Sequence, residues 1–184
     1  MGIGRRSVRR AVFLDRDGVL NRALVRDGKA YPPRSIAELE ILPGVEQALA
    51  ALRKAGFLLV VVTNQPDVAR GTTTRDAVEK INAALSARLP IDEFRTCFHD
   101  SSDECDCRKP KSGALLFAAV DHDIDLYDSF MVGDRWRDTE AGHRAGCRTF
   151  LIDYGYNEKQ PEAVDYRVSS LLEASKIILE LGTR

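Results

Sequence analysis

The sequence has no long hydrophobic segment, and its charges nearly cancel. The longest apolar segment, Phe57–Val62, is far shorter than the about 20 residues that a membrane-spanning helix needs. The formal net charge is -1, so no overall field favours nucleic acid or an anionic membrane as a partner. Segment 1–10 has four arginines without the apolar stretch of a signal peptide, and we interpret it as a flexible tail. We therefore predict a cytoplasmic monomer without nucleic acid or membrane partners.

Cysteine is scarce and unevenly placed. Three of the four cysteines, Cys97, Cys105 and Cys107, fall within eleven residues together with His99. Because the cytoplasm keeps thiols reduced, this spacing favours a metal site over disulfides. Three thiolates and one imidazole suit tetrahedral zinc and leave no position for water, so we predict a structural zinc site. The alternative is that Cys97 is a buried strand residue and the others are incidental; Cys147, alone in a predicted strand, is interpreted as core.

Short apolar segments rich in β-branched residues alternate with helical patterns along the chain. The predicted strands are 11–14, 57–62, 94–98, 129–132 and 147–152, and the predicted helices are 43–55, 73–89, 112–120, 138–145 and 169–181. Such alternation is typical of a parallel sheet covered by helices on both faces. Because no repeat or linker divides the chain, we predict a single α/β domain over 1–184.

Residue types that can carry chemistry follow the predicted strands. These are Asp15 and Asp17 after the first strand, Thr63 and Asn64 after the second, and Asp134 after the fourth. Ligands of parallel sheets collect at the carboxyl ends of the strands. Carboxylates that meet there repel each other unless a cation lies among them, and oxygen ligands without histidine favour Mg²⁺. Each aspartate alone would be typical of a turn or a helix cap, but their joint placement favours a site.

Four segments, LDRDGVLN, VVVTNQ, CRKPKSG and MVGDRWRD, occur in this order between residues 11 and 152. Together they resemble the successive motifs of the haloacid dehalogenase (HAD) superfamily of phosphatases. The resemblance implies a Rossmann-like fold. It also implies a phosphoric monoester hydrolase that works through an aspartyl-phosphate intermediate.

The resemblance further implies roles for individual residues. Asp15 would be the nucleophile, and Asp17 would be the general acid and then the general base. Mg²⁺ would be held by the side chains of Asp15 and Asp134 and by the backbone carbonyl of Asp17. Thr63 and Lys109 would contact the phosphoryl oxygens and offset their charge.

The cysteine-rich loop that leads into Arg-Lys-Pro resembles one branch of the superfamily. That branch holds the D-glycero-D-manno-heptose 1,7-bisphosphate phosphatases and the histidinol-phosphate phosphatases. The segments between the motifs are too short for a large cap domain, so the zinc loop would replace it. By the same resemblance, Arg108 and Arg135 would hold a second phosphate. Asn21, Asn64 and Gln65 are the other expected substrate-binding residues.

The leading hypothesis is a Mg²⁺-dependent phosphatase that acts on a small phosphorylated sugar, D-glycero-D-manno-heptose 1,7-bisphosphate, at its 7-phosphate. Arg70 favours a sugar phosphate, whereas Pro66-Asp67 replaces the Ser-Gly usual in the heptose branch and adds an anion. Asp138 is expected to orient Lys109 or cap its helix rather than bind the metal. The alternatives are a histidinol-phosphate phosphatase and, from a different class, a catalytically weak binding module of the same fold.

Overall fold

A six-stranded parallel sheet forms the centre of the computed structural model, which describes residues 8–182. The strands are β1 (Ala11–Leu14), β2 (Leu24–Arg26), β3 (Lys29–Tyr31), β4 (Leu58–Asn64), β5 (Glu93–Cys97), β6 (Phe130–Gly133), β7 (Arg148–Ile152) and β8 (Tyr166–Val168). The helices are α1 (Val45–Lys54), α2 (Arg75–Ser86), α3 (Gly113–His122), α4 (Trp136–Ala145) and α5 (Leu171–Leu181). The sheet order is β5-β4-β1-β6-β7-β8, and β2 and β3 form a separate antiparallel hairpin.

The central strands are buried on both faces. Successive strand side chains point to opposite faces, so a strand covered on both sides must be apolar throughout. In β1, Val12 and Leu14 belong to one core cluster, with apolar side chains of α1, α2 and α5. Ala11 and Phe13 belong to a second cluster, with side chains of α3 and α4. Cys147 lies in this second cluster, which confirms its interpretation as a core residue.

Two elements were absent from the sequence interpretation. The segment 21–31, which lies outside the predicted strands and helices, contains the β2–β3 hairpin, whose turn places Asp27 and Gly28 at positive φ. An Asp-Gly pair is a known signal for such a turn, but the flanking strands are only three residues long. Strand β8 is equally short, and its pairing with β7 depends on tertiary structure rather than on a local pattern.

The N-terminal segment predicted as a flexible tail is described only from residue 8. Arg9 forms a parallel β-bridge with Ile124. The guanidinium of Arg10 donates a hydrogen bond to the Gly182 carbonyl and lies over the ring of Phe57. Residues 1–7 of that segment lie outside the described residues. Across residues 8–182, no helix combines the length and the apolar character needed to cross a membrane.

Candidate active site

Three buried aspartates meet at the carboxyl ends of β1 and β6. Asp15 follows β1, Asp134 follows β6, and Asp138 lies in the first turn of α4. Each offers a carboxylate oxygen within 4.8 Å of the other two. Burial raises the pKa of Asp15 to about 6, an effect that Lys109 partly offsets and that the carboxylates of Asp138 and Asp17 increase. The cluster is therefore unfavourable unless protons or cations neutralise it.

Asp134 is the cluster member whose carboxylate is satisfied least by the protein. Both of its carboxylate oxygens are buried, and neither receives a hydrogen bond of good geometry. Burial and the charge of Asp15 raise its pKa well above the usual range, and the nearby Tyr156 hydroxyl offsets only part of that rise. A buried carboxylate without donors is costly, and carboxylate oxygens are the ligands that Mg²⁺ prefers. The arrangement of Asp15 and Asp134 therefore fits the predicted magnesium ion.

Lys109 neutralises the other side of the cluster. Its buried ammonium lies 2.6 Å from a carboxylate oxygen of Asp15 and 2.6 Å from one of Asp138, and it donates to the Val62 carbonyl. Burial alone would lower the pKa of Lys109, but the two carboxylates raise it above its ordinary value. The Asn64 amide also holds the Lys109 backbone, accepting from its N–H at 3.1 Å and donating to its carbonyl at 2.9 Å. Lys109 is thus fixed at both its backbone and its ammonium.

Asp138 makes the contacts that were expected of it from the sequence. One of its oxygens pairs with Lys109, and the other accepts a hydrogen bond from the Arg135 backbone N–H at 3.0 Å, capping α4. Gly133 allows this close approach, since a Cβ there would lie 2.0 Å from the Asp138 Cβ. With both oxygens in use, Asp138 orients Lys109 and caps its helix.

Three side chains surround the carboxylate of Asp17. Arg16 donates to it at 3.0 to 3.3 Å, and Asn21 and Gln65 each donate at 2.9 Å. Gln65 also donates to the Thr63 hydroxyl at 2.9 Å. The structure therefore places Asn21 and Gln65, expected to bind substrate, behind Asp17 and away from the lining of the active-site cavity. Arg16, wholly buried, was not among the candidates from the sequence.

A cavity of about 220 Å³ opens onto these groups. The β2–β3 hairpin contributes Ala30 and Tyr31 to its wall, so this hairpin forms part of the rim in place of a large cap. Most of the other lining residues are polar or charged: Asp15, Asp17, Thr63, Asn64, Arg70, Arg108, Lys109, Arg135, Arg137 and Asp138. The cavity thus joins a carboxylate-rich floor to a set of arginines.

Two of the cavity arginines share Asp100. Arg70 donates two hydrogen bonds to the Asp100 carboxylate, both at 2.7 Å, and these bonds lower the pKa of Asp100 to about 2. Arg108 lies 3.9 Å from the same carboxylate and donates to the His99 carbonyl at 3.2 Å. Because Asp100 follows His99 directly, these contacts join the Cys/His loop to the cavity.

The other two cavity arginines share Glu158. Arg135 donates to both Glu158 oxygens, at 2.9 and 3.1 Å from its Nε, whereas Arg137 reaches Glu158 only at 3.8 Å. Burial and the neighbouring Arg135 lower the pKa of Arg137, whose guanidinium lies over the Trp136 ring. Arg70 also lies 3.5 Å from the carboxylate of Asp67, so the four guanidinium groups share three carboxylates and leave a positive excess beside the cavity. Arg137 was not predicted from the sequence.

The predicted zinc ligands lie together in the geometry of a tetrahedral site. The Cys97–Cys105 and Cys105–Cys107 sulfur separations are 3.7 and 3.6 Å, and His99 Nδ1 lies 3.6 Å from Cys97 Sγ and 3.4 Å from Cys107 Sγ. A tetrahedron with usual zinc bond lengths has edges of about 3.8 Å between sulfurs and about 3.6 Å between sulfur and nitrogen. All four side chains therefore fit a single closed metal site.

Comparison with known proteins identifies the family of the chain. The D-glycero-beta-D-manno-heptose-1,7-bisphosphate 7-phosphatase of Pasteurella multocida is 35% identical over 185 residues, which cover 93% of this chain and 97% of that relative. The chain belongs to the HAD superfamily of phosphatases. A HAD-hydrolase-like family model matches residues 106–174. The Bordetella bronchiseptica enzyme with the same name as the first relative is 38% identical over 153 residues, covering 80% of this chain and 83% of the relative.

A solved structure agrees with this assignment. The D,D-heptose 1,7-bisphosphate phosphatase from B. bronchiseptica, crystallised with magnesium and phosphate, superimposes with a TM-score of 0.79 at 31% identity. The match covers 93% of this HAD chain and 98% of that structure. It confirms the predicted fold class, a parallel sheet with helices on both faces and, within residues 8–182, no large cap domain.

Gly18 provides a test of the position of Asp134. Gly18 has a φ of +92°, and a Cβ there would lie 2.0 Å from Asp134 Oδ2. We expect Gly18→Ala to displace the Asp134 carboxylate, weaken Mg²⁺ binding and lower kcat by about 100-fold, since misplacing a catalytic group by about 1 Å can cost that much.

Gly56→Ala is the matched control. Gly56 has a φ of +87°, but its added Cβ would meet nothing within 4 Å. Both variants should therefore lose about 1–2 kcal/mol of unfolding free energy for a side chain in the left-handed region. Only Gly18→Ala should lose activity. Equal kcat values in the two variants, measured with saturating Mg²⁺, would contradict the role given to Gly18.

Proposed function

We propose that this chain is a Mg²⁺-dependent phosphatase of D-glycero-D-manno-heptose 1,7-bisphosphate that releases the 7-phosphate through an aspartyl-phosphate. The observation that carries the proposal is the position of Lys109, which lines the cavity and pairs with Asp15 and Asp138, together with a buried Asp134 carboxylate that receives no hydrogen bond of good geometry. The names of the relatives support the choice of substrate.

In the first step, a carboxylate oxygen of Asp15 attacks the phosphorus. The bond from phosphorus to the ester oxygen breaks, and Asp17 gives its proton to that oxygen, so a neutral alcohol leaves. In the second step, Asp17 takes a proton from water as the water oxygen attacks the phosphorus, which frees Asp15 and phosphate. Lys109 and Thr63, which both line the cavity, contact the phosphoryl oxygens.

Magnesium would be held beside the nucleophile by the side chains of Asp15 and Asp134 and by the backbone carbonyl of Asp17. When bound, Mg²⁺ offsets the charge between the Asp15 carboxylate and the phosphate dianion. The protein supplies the remaining charge through Lys109. Because Asp138 and Asn64 already fix Lys109, its ammonium needs no rearrangement to meet the phosphate.

Replacing the nucleophile tests the mechanism. We expect Asp15→Asn to lower kcat by about 10³-fold or more, because an amide oxygen is a poor nucleophile. The variant should keep its fold by circular dichroism and form no acid-stable phosphoprotein. Asp76→Asn is the control, since Asp76 is an exposed residue of α2 that pairs with Lys80. Wild-type turnover by Asp15→Asn would contradict the mechanism.

The arginines beside the cavity support a substrate with a second phosphate. The four guanidinium groups share Asp67, Asp100 and Glu158, which leaves one positive charge, of the sign that a phosphate offsets. Arg135 was predicted to bind this phosphate, but Glu158 already engages its guanidinium twice. The ion-pair contacts of Arg137 and Arg108 are longer, at 3.8 and 3.9 Å, so their charges are less engaged than that of Arg135. We therefore assign the distal phosphate to Arg108 and Arg137, with Arg135 in support.

Substrate preference tests this assignment. We expect Arg137→Gln to lower kcat/KM for the heptose 1,7-bisphosphate by about 10- to 100-fold, the effect of losing one charge-assisted contact. It should change kcat/KM for a heptose 7-monophosphate less than threefold. Arg144→Gln, on the same helix but paired with Glu140, should change neither value. Equal losses on both substrates would contradict the assignment, and faster turnover of histidinol phosphate would favour the alternative substrate.

We also propose that Cys97, His99, Cys105 and Cys107 hold a structural zinc ion. Their tetrahedral separations support this, and the loop that they would close leads directly into Arg108 and Lys109. The Lys111 ammonium donates to the carbonyls of Glu104 and Cys105, which fixes the far side of the loop. The zinc would position Arg108 and Lys109 without taking part in the chemistry.

A cysteine replacement tests the zinc site. We expect Cys107→Ser to lose zinc by elemental analysis and to lower kcat about 10-fold with Mg²⁺ saturating, since ligand positioning commonly contributes that much. Cys147→Ala, which removes a buried cysteine outside the cluster, should keep one zinc per chain. If chelating the zinc leaves both the fold and turnover unchanged, the positioning role is wrong.

A further inference from the structure

We propose that Arg16 and Asn82 are positioning residues for proton transfer by Asp17. The proposal rests on the proposed function, which makes Asp17 the acid of the first step. Arg16 lies between the two catalytic aspartates in sequence, yet its side chain points into the protein and is 0% exposed. A wholly buried guanidinium needs partners for its charge and its donors. The Arg16 side chain finds these partners in Asp17 and Asn82.

Arg16 connects Asp17 to the α2 helix. Its Nε and Nη2 donate to the Asp17 carboxylate, and its Nη1 donates to Asn82 Oδ1 at 2.8 Å. Asn82, a buried residue of α2, donates in turn to the Thr96 hydroxyl of β5 at 3.1 Å. The Arg16 guanidinium is thus held from both sides, by the carboxylate that it orients and by an amide fixed to the sheet.

This arrangement determines which way the Asp17 carboxyl group faces. Asp17 lines the cavity, but its carboxylate accepts hydrogen bonds from donors on the protein side: Arg16, Asn21 and Gln65. They limit rotation of the side chain and stabilise the carboxylate left when the proton moves to the ester oxygen. Of the three donors, Arg16 alone brings a positive charge. Removing the Asn82 contact should let Arg16, and with it Asp17, leave this orientation.

The choice of leaving group distinguishes a role in proton transfer from a general structural role. A sugar or alkyl phosphate releases a poor leaving group that needs the proton of Asp17, whereas p-nitrophenolate leaves without one. Because kcat/KM covers the steps up to formation of the phosphoenzyme, it isolates the first proton transfer from the second step. We expect Asn82→Ala to lower kcat/KM about 10- to 100-fold for the sugar phosphate but less than threefold for p-nitrophenyl phosphate.

Three further variants support the comparison. Asp17→Asn should show the same dependence on the leaving group, with a larger loss for the sugar phosphate. Asn82→Asp keeps an acceptor for Arg16 and should restore most of the activity that Asn82→Ala loses. Ser175→Ala removes a different buried hydrogen bond, to the Leu172 carbonyl in α5, and should leave both substrates unaffected.

Equal losses on the two substrates, or no loss on either, would overturn the proposal. If Asn82→Ala does not fold, Thr96→Val can replace it, because it removes only the acceptor of the Asn82 amide. We expect this variant to lower kcat/KM about three- to tenfold for the sugar phosphate and less for p-nitrophenyl phosphate. Equal losses of kcat/KM on the two substrates in Thr96→Val would then overturn the proposal. If the wild type hydrolyses no sugar phosphate, the proposed function fails separately, and glycerol phosphate replaces the sugar phosphate in the same comparison.

Discussion

The ion pairs of Lys109 with Asp15 and Asp138 determine the charge balance of the whole site. Parallel strands bring their carboxyl ends to one edge of the sheet, and here that edge buries three carboxylates together. One ammonium cannot neutralise three negative charges, and Lys109 reaches only two of them. Asp134 is left with buried oxygens that receive no hydrogen bond of good geometry, which is a condition that a divalent cation relieves. We therefore expect the site to require magnesium, because Lys109 pairs with Asp15 and Asp138 but not with Asp134.

The surrounding loops fix the positively charged side chains around this centre. Asn64 holds the backbone of Lys109, and the Cys/His loop positions Arg108 through the carbonyl of His99. Asp100 joins that loop to Arg70 from the segment after β4. The positive groups of the cavity are thus positioned by the protein before substrate binds, which reduces the reorganisation that catalysis requires. The loop and the β2–β3 hairpin supply the walls that a larger cap would otherwise provide.

Much of this could be predicted from the sequence, because buried parallel strands and residues that follow them leave strong local patterns. The strand at 11–14 and the positions of Asp15, Asp134 and Asp138 depend on such patterns, and so does the clustering of the cysteines. The buried role of Arg16 could not be predicted, because arginine between two aspartates looks like a solvated residue until α2 is placed against it. Arg137 was missed for a related reason. Its significance depends on Glu158, a distant residue that engages Arg135 more closely.

Proton release on magnesium binding shows whether the buried carboxylates of this site are the ligands of the metal. Burial and neighbouring carboxylates raise the pKa of Asp15 to about 6 and that of Asp134 well above its usual range, so the metal-free site holds protons at mildly acidic pH. Mg²⁺ requires ionised ligands and should displace these protons. Calorimetric titration at pH about 6, in buffers of different ionisation enthalpy, measures the number released. The structure predicts net proton release by the wild type and a smaller release, with weaker binding, by Asp134→Asn. Magnesium binding without proton release, or equal binding by the two proteins, would contradict the account.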